Sequence, residues 1–224
     1  MNKSKLLKTI IAIAAVAGLV IGGYVYKDAI QSRIARTAAV VSGQEIKPLL
    51  DSEGRYIRQI VAKDNSTSRT IMWQSDSSEA DAVIEYRVEG SENIQSIGAT
   101  DKAFTDDGST TYIHEGTLTG LTPSTKYEYR VGYGTDRRSD WYSLETAGAS
   151  VYDVLIYPDS QSGDYSQWEE IVKDSAHRNP RTALYISMGD LVDNGEQDYQ
   201  WRTWLNSIRP LSANVPLAPT LGNH

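Results

Sequence analysis

Leu121-Thr122-Pro123-Ser124-Thr125-Lys126-Tyr127-Glu128-Tyr129-Arg130-Val131 decides how the middle of the chain folds. Pro123 presets a turn, because its ring fixes φ and removes a backbone donor. Beyond that turn Tyr127, Tyr129 and Val131 alternate with Glu128 and Arg130. A period of two places the large side chains on one face of a strand and the charges on the other. Working outward, Thr70-Ile71-Met72-Trp73, Ala82 to Val88 and Thr111-Tyr112-Ile113-His114 are further runs rich in β-branched and aromatic residues. Turn signals separate them: Asp64-Asn65-Ser66, Ser75 to Glu79, Glu89-Gly90-Ser91 and Asp106-Asp107-Gly108. Residues 51–148 are therefore predicted to be an all-β domain of packed sheets.

The quoted stretch resembles the Leu-x-Pro-x-Thr-x-Tyr-x-Tyr-x-Val signature of fibronectin type III domains, in which a corner tyrosine clamps the loop entering its strand. The resemblance implies that Tyr127 is that tyrosine and Trp73 the core tryptophan. The segment is also similar to the N-terminal sandwich of purple acid phosphatases, a likeness that speaks to fold and not to function. His114 is expected on the sandwich surface, and Arg137-Arg138 as a solvated turn.

After Ala147-Gly148 the pattern changes. Val151 to Tyr157 is an apolar-rich strand, Ser166 to Ala176 a helix, Arg181 to Met188 a second buried strand, Gln197 to Ile208 a second helix and Pro216 to Leu221 a third short strand. Such alternation implies βαβ units and a largely parallel sheet, so residues 149–224 are predicted to be the first part of an α/β domain. Three strands with two helices are expected to leave apolar faces and a sheet edge uncovered. Ligands collect at the carboxyl ends of such strands. Asp159-Ser160-Gln161, Gly189-Asp190-Leu191-Val192-Asp193-Asn194-Gly195 and Gly222-Asn223-His224 each fall there. Taken singly, each has a plainer reading as a turn. Their recurrence in order, each past a strand and two of them flanked by glycines, points to chemistry. Tyr165, Trp168, Trp201 and Trp204 lie nearby, as core or as cleft walls.

These clusters resemble the Asp-x-His, Gly-Asp-x-x-Asp and Gly-Asn-His motifs of calcineurin-like metallophosphoesterases, and more narrowly bacterial proteins related to purple acid phosphatases. The resemblance spans residues 51–224. It implies two divalent metal ions, Mn, Fe or Zn, with Asp159 a ligand of the first, Asp190 bridging both and Asn223 a ligand of the second. It further implies that His224, paired with Asp193, contacts phosphate and acts as general acid. Two such cations stabilise both the entering and leaving oxygens of an in-line displacement and generate the nucleophile near neutral pH. Gln161 stands where many members carry a histidine ligand, so its amide is the weaker substitute. Purple acid phosphatases proper carry a tyrosine where this chain has Asp193, which implies a colourless protein. The family's later histidine motifs are absent; the remaining histidines, His114 and His177, are not at motif spacing. The chain is accordingly expected to be a C-terminally truncated piece of a larger enzyme, with little or no hydrolytic activity alone.

At the other end, Lys3, Lys5 and Lys8 precede an uncharged run from Thr9 to Tyr26. Residues 1–26 are read as a signal anchor or a cleaved signal peptide, with a buried helix as the third alternative, and residues 27–50 as a juxtamembrane spacer. The expected location is outside the cytoplasm, membrane-anchored or secreted. A formal net charge of −7 disfavours nucleic acid, since polyanion binding needs a basic surface. A small phosphate ester remains compatible if metal ions reverse the local field. There is no cysteine, which removes disulfides and thiolate chemistry. Two functions follow: metal-dependent hydrolysis of phosphate esters, or a binding module using the sandwich, with the α/β part vestigial.

Overall fold

Alternation of side chains along extended segments builds most of the molecule. The computed structural model describes residues 55–224 apart from 77, 79, 80, 107, 108, 149, 150, 163 and 164. The membrane-segment and spacer readings for residues 1–50 lie outside the described residues. Among the described residues no helix is long and apolar enough to cross a membrane.

The strands in chain order are β1 (Arg55–Ile60), β2 (Ser68–Ser75), β3 (Ala82–Val88), β4 (Gln95–Gly98), β5 (Thr100–Asp106), β6 (Ser109–Thr119), β7 (Lys126–Tyr133), β8 (Arg137–Arg138) and β9 (Tyr142–Glu145). Then come β10 (Asp153–Tyr157), helix α1 (Ser166–Arg178), β11 (Thr182–Ser187), helix α2 (Asp198–Ser212) and β12 (Leu217–Pro219). One sheet has the order β4-β3-β7-β8, with β9 also on β7; the other has seven strands in the order β10-β11-β12-β1-β2-β6-β5. The β10, β11 and β12 pairings are parallel, as the βαβ reading requires. Of the two edges of these three strands, β10 lies at the end of its sheet, whereas β12 is paired: β1 runs parallel to it, with Ile60 opposite Leu217. The sandwich and the α/β part thus share a sheet, because an unpaired strand beside another satisfies its backbone by joining it.

The quoted stretch forms β7. Tyr127, Tyr129 and Val131 all point into the sandwich core, with Trp73 fully buried opposite them. Leu121 anchors the loop before the strand. The Thr122 amide donates to the Tyr127 hydroxyl at 2.9 Å, which is the corner clamp. Replacing Tyr127 with Phe leaves that part-buried amide unpaired, and is expected to lower stability by about 1–2 kcal/mol. A fall of a few degrees in Tm should register it; an unchanged Tm would show the clamp contributes nothing.

His114 is not on the surface. It is completely buried, stacked on Trp73 with ring centroids 5.2 Å apart, and its Nε2 lies 2.7 Å from the Ser75 hydroxyl. Its parity explains this, because His114, Gly116 and Leu118 share the inward face of β6. Arg137-Arg138 follows the turn rather than forming it, and while Arg137 is exposed, Arg138 is not. The pair forms β8, and Arg138 Nε meets Glu85 at 2.8 Å with both side chains largely covered.

The second core lies between the parallel strands and the helices. Trp168 and Val172 on α1 meet Tyr157 and Tyr185 from the strands and Trp204 and Ile208 on α2. The C-terminal end of α2 is fastened to the sandwich. The Ala213 carbonyl accepts from Gln59 Nε2 at 2.8 Å and from the Tyr129 hydroxyl at 2.7 Å. Both donors are buried, and burial pushes the Tyr129 phenol pKa upward, so it stays protonated and able to donate. A buried carbonyl at a helix end needs such partners.

Candidate metal centre

All three motif clusters leave the carboxyl ends of β10, β11 and β12, and backbone hydrogen bonds knit them together. Asp190 is the hub. Its carbonyl accepts the amides of Ser160 at 3.2 Å and Gln161 at 2.9 Å, drawing in the first cluster. Its Oδ1 accepts the amides of Asn223 at 2.8 Å and His224 at 3.2 Å, drawing in the third. Asp190 holds φ at +44° and Gly189 at +102°. A left-handed aspartate is uncommon, and such backbones concentrate at functional sites. Gly222 is required by contact: a Cβ there would lie 1.8 Å from Asp190 Oδ1.

The structure brings Asp159, Gln161, Asp190, Asp193, Asn223 and His224 into this one cluster of loops. Asp159 is exposed, and its Oδ1 accepts the Gln161 amide at 3.1 Å. Gln161 Oε1 is buried without a hydrogen-bond partner. Asn223 is held through its backbone. His224 Nδ1 is 2.9 Å from the Asp193 carbonyl oxygen, whereas the Asp193 carboxylate stands 4.0 Å away. The pairing of these two residues is therefore made by the main chain of Asp193 rather than by its side chain.

Among the described residues no group of three or more His, Cys, Asp or Glu side chains is placed to hold a metal ion. The side-chain donors carried by the three clusters of loops are oxygens: the carboxylates of Asp159 and Asp190 and the amides of Gln161 and Asn223. Such a set fits a hard divalent cation. The unpartnered Gln161 oxygen fits it further, since a buried acceptor left without a donor is costly unless something else takes its lone pair.

Helix α2 supports both long loops with side chains that sequence reading passed over or treated as packing. Gln200 Oε1 accepts the amides of Asp193 at 2.8 Å and Asn194 at 3.0 Å. Trp201 Nε1 donates to the Gly195 carbonyl at 2.8 Å, and Trp204 Nε1 to the Ser160 hydroxyl at 2.9 Å. The helical spacing held the signal: Gln200 lies in the opening turn after the Asn194-Gly195 loop, and helical side chains lean back toward the N-terminus. Tyr165 is buried beside the same loop; burial pushes its phenol up to about 12, so it is neutral at ordinary pH. Trp168 and Trp204 are core, and Trp201 is half-buried.

Residues 56–146 match the purple acid phosphatase N-terminal domain, and residues 139–224 match the calcineurin-like phosphoesterase family. A purple acid phosphatase from yellow lupin (Lupinus luteus) seeds superposes with a TM-score of 0.67 at 20% identity, over 78% of this chain and 36% of that one. The chain thus spans about a third of the length of that structure, and the likeness is one of fold. The third fibronectin III domain of the human KIAA0343 protein aligns with 45% of this chain and 89% of its own, at 17% identity and a TM-score of 0.29.

Proposed function

Since this chain joins a purple acid phosphatase N-terminal domain to calcineurin-like phosphoesterase sequence, we propose that it serves metal-dependent hydrolysis of small phosphate esters at the loops around Asp190. The observation that carries the reading is Asp190 itself. One of its oxygens gathers the third motif while the rest of the carboxylate is left for a ligand.

Asp159 and Gln161 would hold one divalent cation, Asn223 a second, and Asp190 both. When bound, such cations supply a nucleophile at neutral pH and stabilise charge on the phosphoryl oxygens. The chain's own residues do the rest. Asp190 fixes the relative position of the first and third clusters through its carbonyl and Oδ1. His224, with Nδ1–H held on the Asp193 carbonyl, is oriented to present Nε2 to the leaving oxygen; the doubly protonated ring delivers its Nε2 proton as the P–O bond breaks and is left neutral with its proton on Nδ1. Four oxygen donors are a lean set for two cations, so the chain by itself is expected to turn over slowly or not at all. Asp193 in place of a tyrosine leaves no phenolate there to give a visible charge-transfer band.

The test is hydrolysis of an aryl phosphate by the intact enzyme of which this chain is read as a piece, with Mn²⁺ or Zn²⁺ added. Turnover should vanish with a chelator, return when metal is restored, and come from a colourless sample. Turnover indifferent to chelation would overturn the proposal. The apolar N-terminal run of residues 9–26 favours action outside the cytoplasm.

A further inference from the structure

We propose that Gln200 is a positioning residue that sets which ring nitrogen of His224 carries the proton, acting through the main chain of Asp193. The inference rests on the reading of His224 as the proton donor.

Gln200 is buried, and its amide orientation is forced. Its oxygen faces two backbone N–H groups, those of Asp193 and Asn194. Its nitrogen donates to Gln197 Oε1 at 2.9 Å. A flip would set an NH₂ group against two donors and an oxygen against an acceptor. Two amides of consecutive residues held by one oxygen fix the peptide planes on both sides of Asp193. The carbonyl of Asp193 is thereby aimed outward, at 2.9 Å from His224 Nδ1. A carbonyl can only accept, so Nδ1 must be the protonated nitrogen of the neutral ring. Nε2 then faces the reaction: it carries the proton to be delivered when the ring is doubly protonated, and it is the bare nitrogen of the neutral ring left after delivery. The partner of one ring nitrogen decides the state of the other. Here that partner is a peptide carbonyl whose aim is determined one layer deeper, on α2. The nearby Asp193 carboxylate, at 4.0 Å, is too far to make the choice. The same helix steadies the first cluster, because Trp204 holds the Ser160 hydroxyl and Ser160 in turn donates to the Leu191 carbonyl at 3.3 Å.

The test needs no turnover. The chain has three histidines, so ¹⁵N-labelled protein yields a small set of imidazole signals. In the metal-free full chain, well above the ordinary histidine pKa of about 6.5, His224 should show its proton on Nδ1. Gln200→Leu should move that proton toward Nε2 and speed amide exchange at Asp193 and Asn194 by about tenfold or more. Gln200→Glu keeps an acceptor at the same reach and should retain the wild-type pattern. Should Gln200→Leu fail to fold, Gln200→Asn draws the acceptor back by about 1.5 Å and should show the same loss. A wild-type His224 with its proton on Nε2 overturns the proposal, as does a Gln200→Leu or Gln200→Asn protein with wild-type tautomer and exchange. The expected tautomer pattern in a protein that binds no Mn²⁺ or Zn²⁺ would sink the metallophosphoesterase reading and leave this one standing.

Discussion

Replacing Asp190 with asparagine in the intact enzyme is expected to lower turnover of a phosphate ester by on the order of 100-fold or more, and to weaken divalent-metal binding to a similar degree. Groups that merely orient a metal ligand cost about 10–100-fold when removed, so loss of a bridging carboxylate belongs at or beyond the upper end. Asparagine is the informative choice because of what it retains. Its side-chain oxygen can still accept the Asn223 and His224 amides that Asp190 Oδ1 accepts now. It also tolerates the left-handed backbone at φ +44° better than most residues do. The loops should therefore stay assembled while the charge is lost.

Calorimetric titration with Mn²⁺ or Zn²⁺ measures the effect without relying on turnover. Wild-type metal affinity in the asparagine variant would remove Asp190 from the centre. Alanine at the same position provides the contrast, because it releases the third cluster and strains the turn as well. It should lower Tm, whereas asparagine should not. A protein that acted only as a binding module through its sandwich would keep its metal affinity unchanged in the asparagine variant.

The sandwich was largely legible in the sequence, for a local reason. The turn, the corner tyrosine and the inward-facing Tyr129 and Val131 all lie within eleven residues, so spacing alone carries the geometry. The strand-end positions of Asp159, Asp190 and Asn223 were legible for the same reason, each following an apolar strand directly. Contacts between distant segments left no such trace. Nothing near Ile60 announces a parallel partner at Leu217, and nothing near Tyr129 announces the Ala213 carbonyl. Strand β5 was missed because Thr100–Asp106 alternates mainly polar residues, and a strand lying at the edge of its sheet needs no apolar face. His114 could have been placed correctly by counting parity to Leu118, but a histidine taken alone suggests a surface. The Asp193–His224 contact runs through the Asp193 carbonyl, a detail that a motif leaves open because it specifies residues and does not distinguish a carboxylate from a carbonyl.

The largest loss of stability is expected from Trp73→Ala. Trp73 is completely buried at the centre of the sandwich. Its indole N–H donates to the Tyr133 hydroxyl at 2.9 Å, and its ring stacks on His114. Truncation leaves a cavity that surrounding strands cannot collapse to fill, because their spacing is set by backbone hydrogen bonds. Removing a buried tryptophan costs about 3–5 kcal/mol, against a total stability of about 5–15 kcal/mol for a domain. For a chain of this size that corresponds to a fall in Tm on the order of 10 °C. The consequence should reach the candidate centre as well. Sheet β1-β2-β6 carries Trp73 on one face, and β1 pairs with β12, the strand that leads to Gly222-Asn223-His224. Loosening the sandwich should therefore speed amide exchange in β12 as well as in β2. Exchange confined to β2, with β12 protected as in the wild type, would mean that the shared sheet does not couple the two parts. Trp73→Phe fills most of the volume and loses the hydrogen bond, so it should fall between the two. The gap between Phe and Ala then measures packing, and the gap between wild type and Phe measures the indole bond.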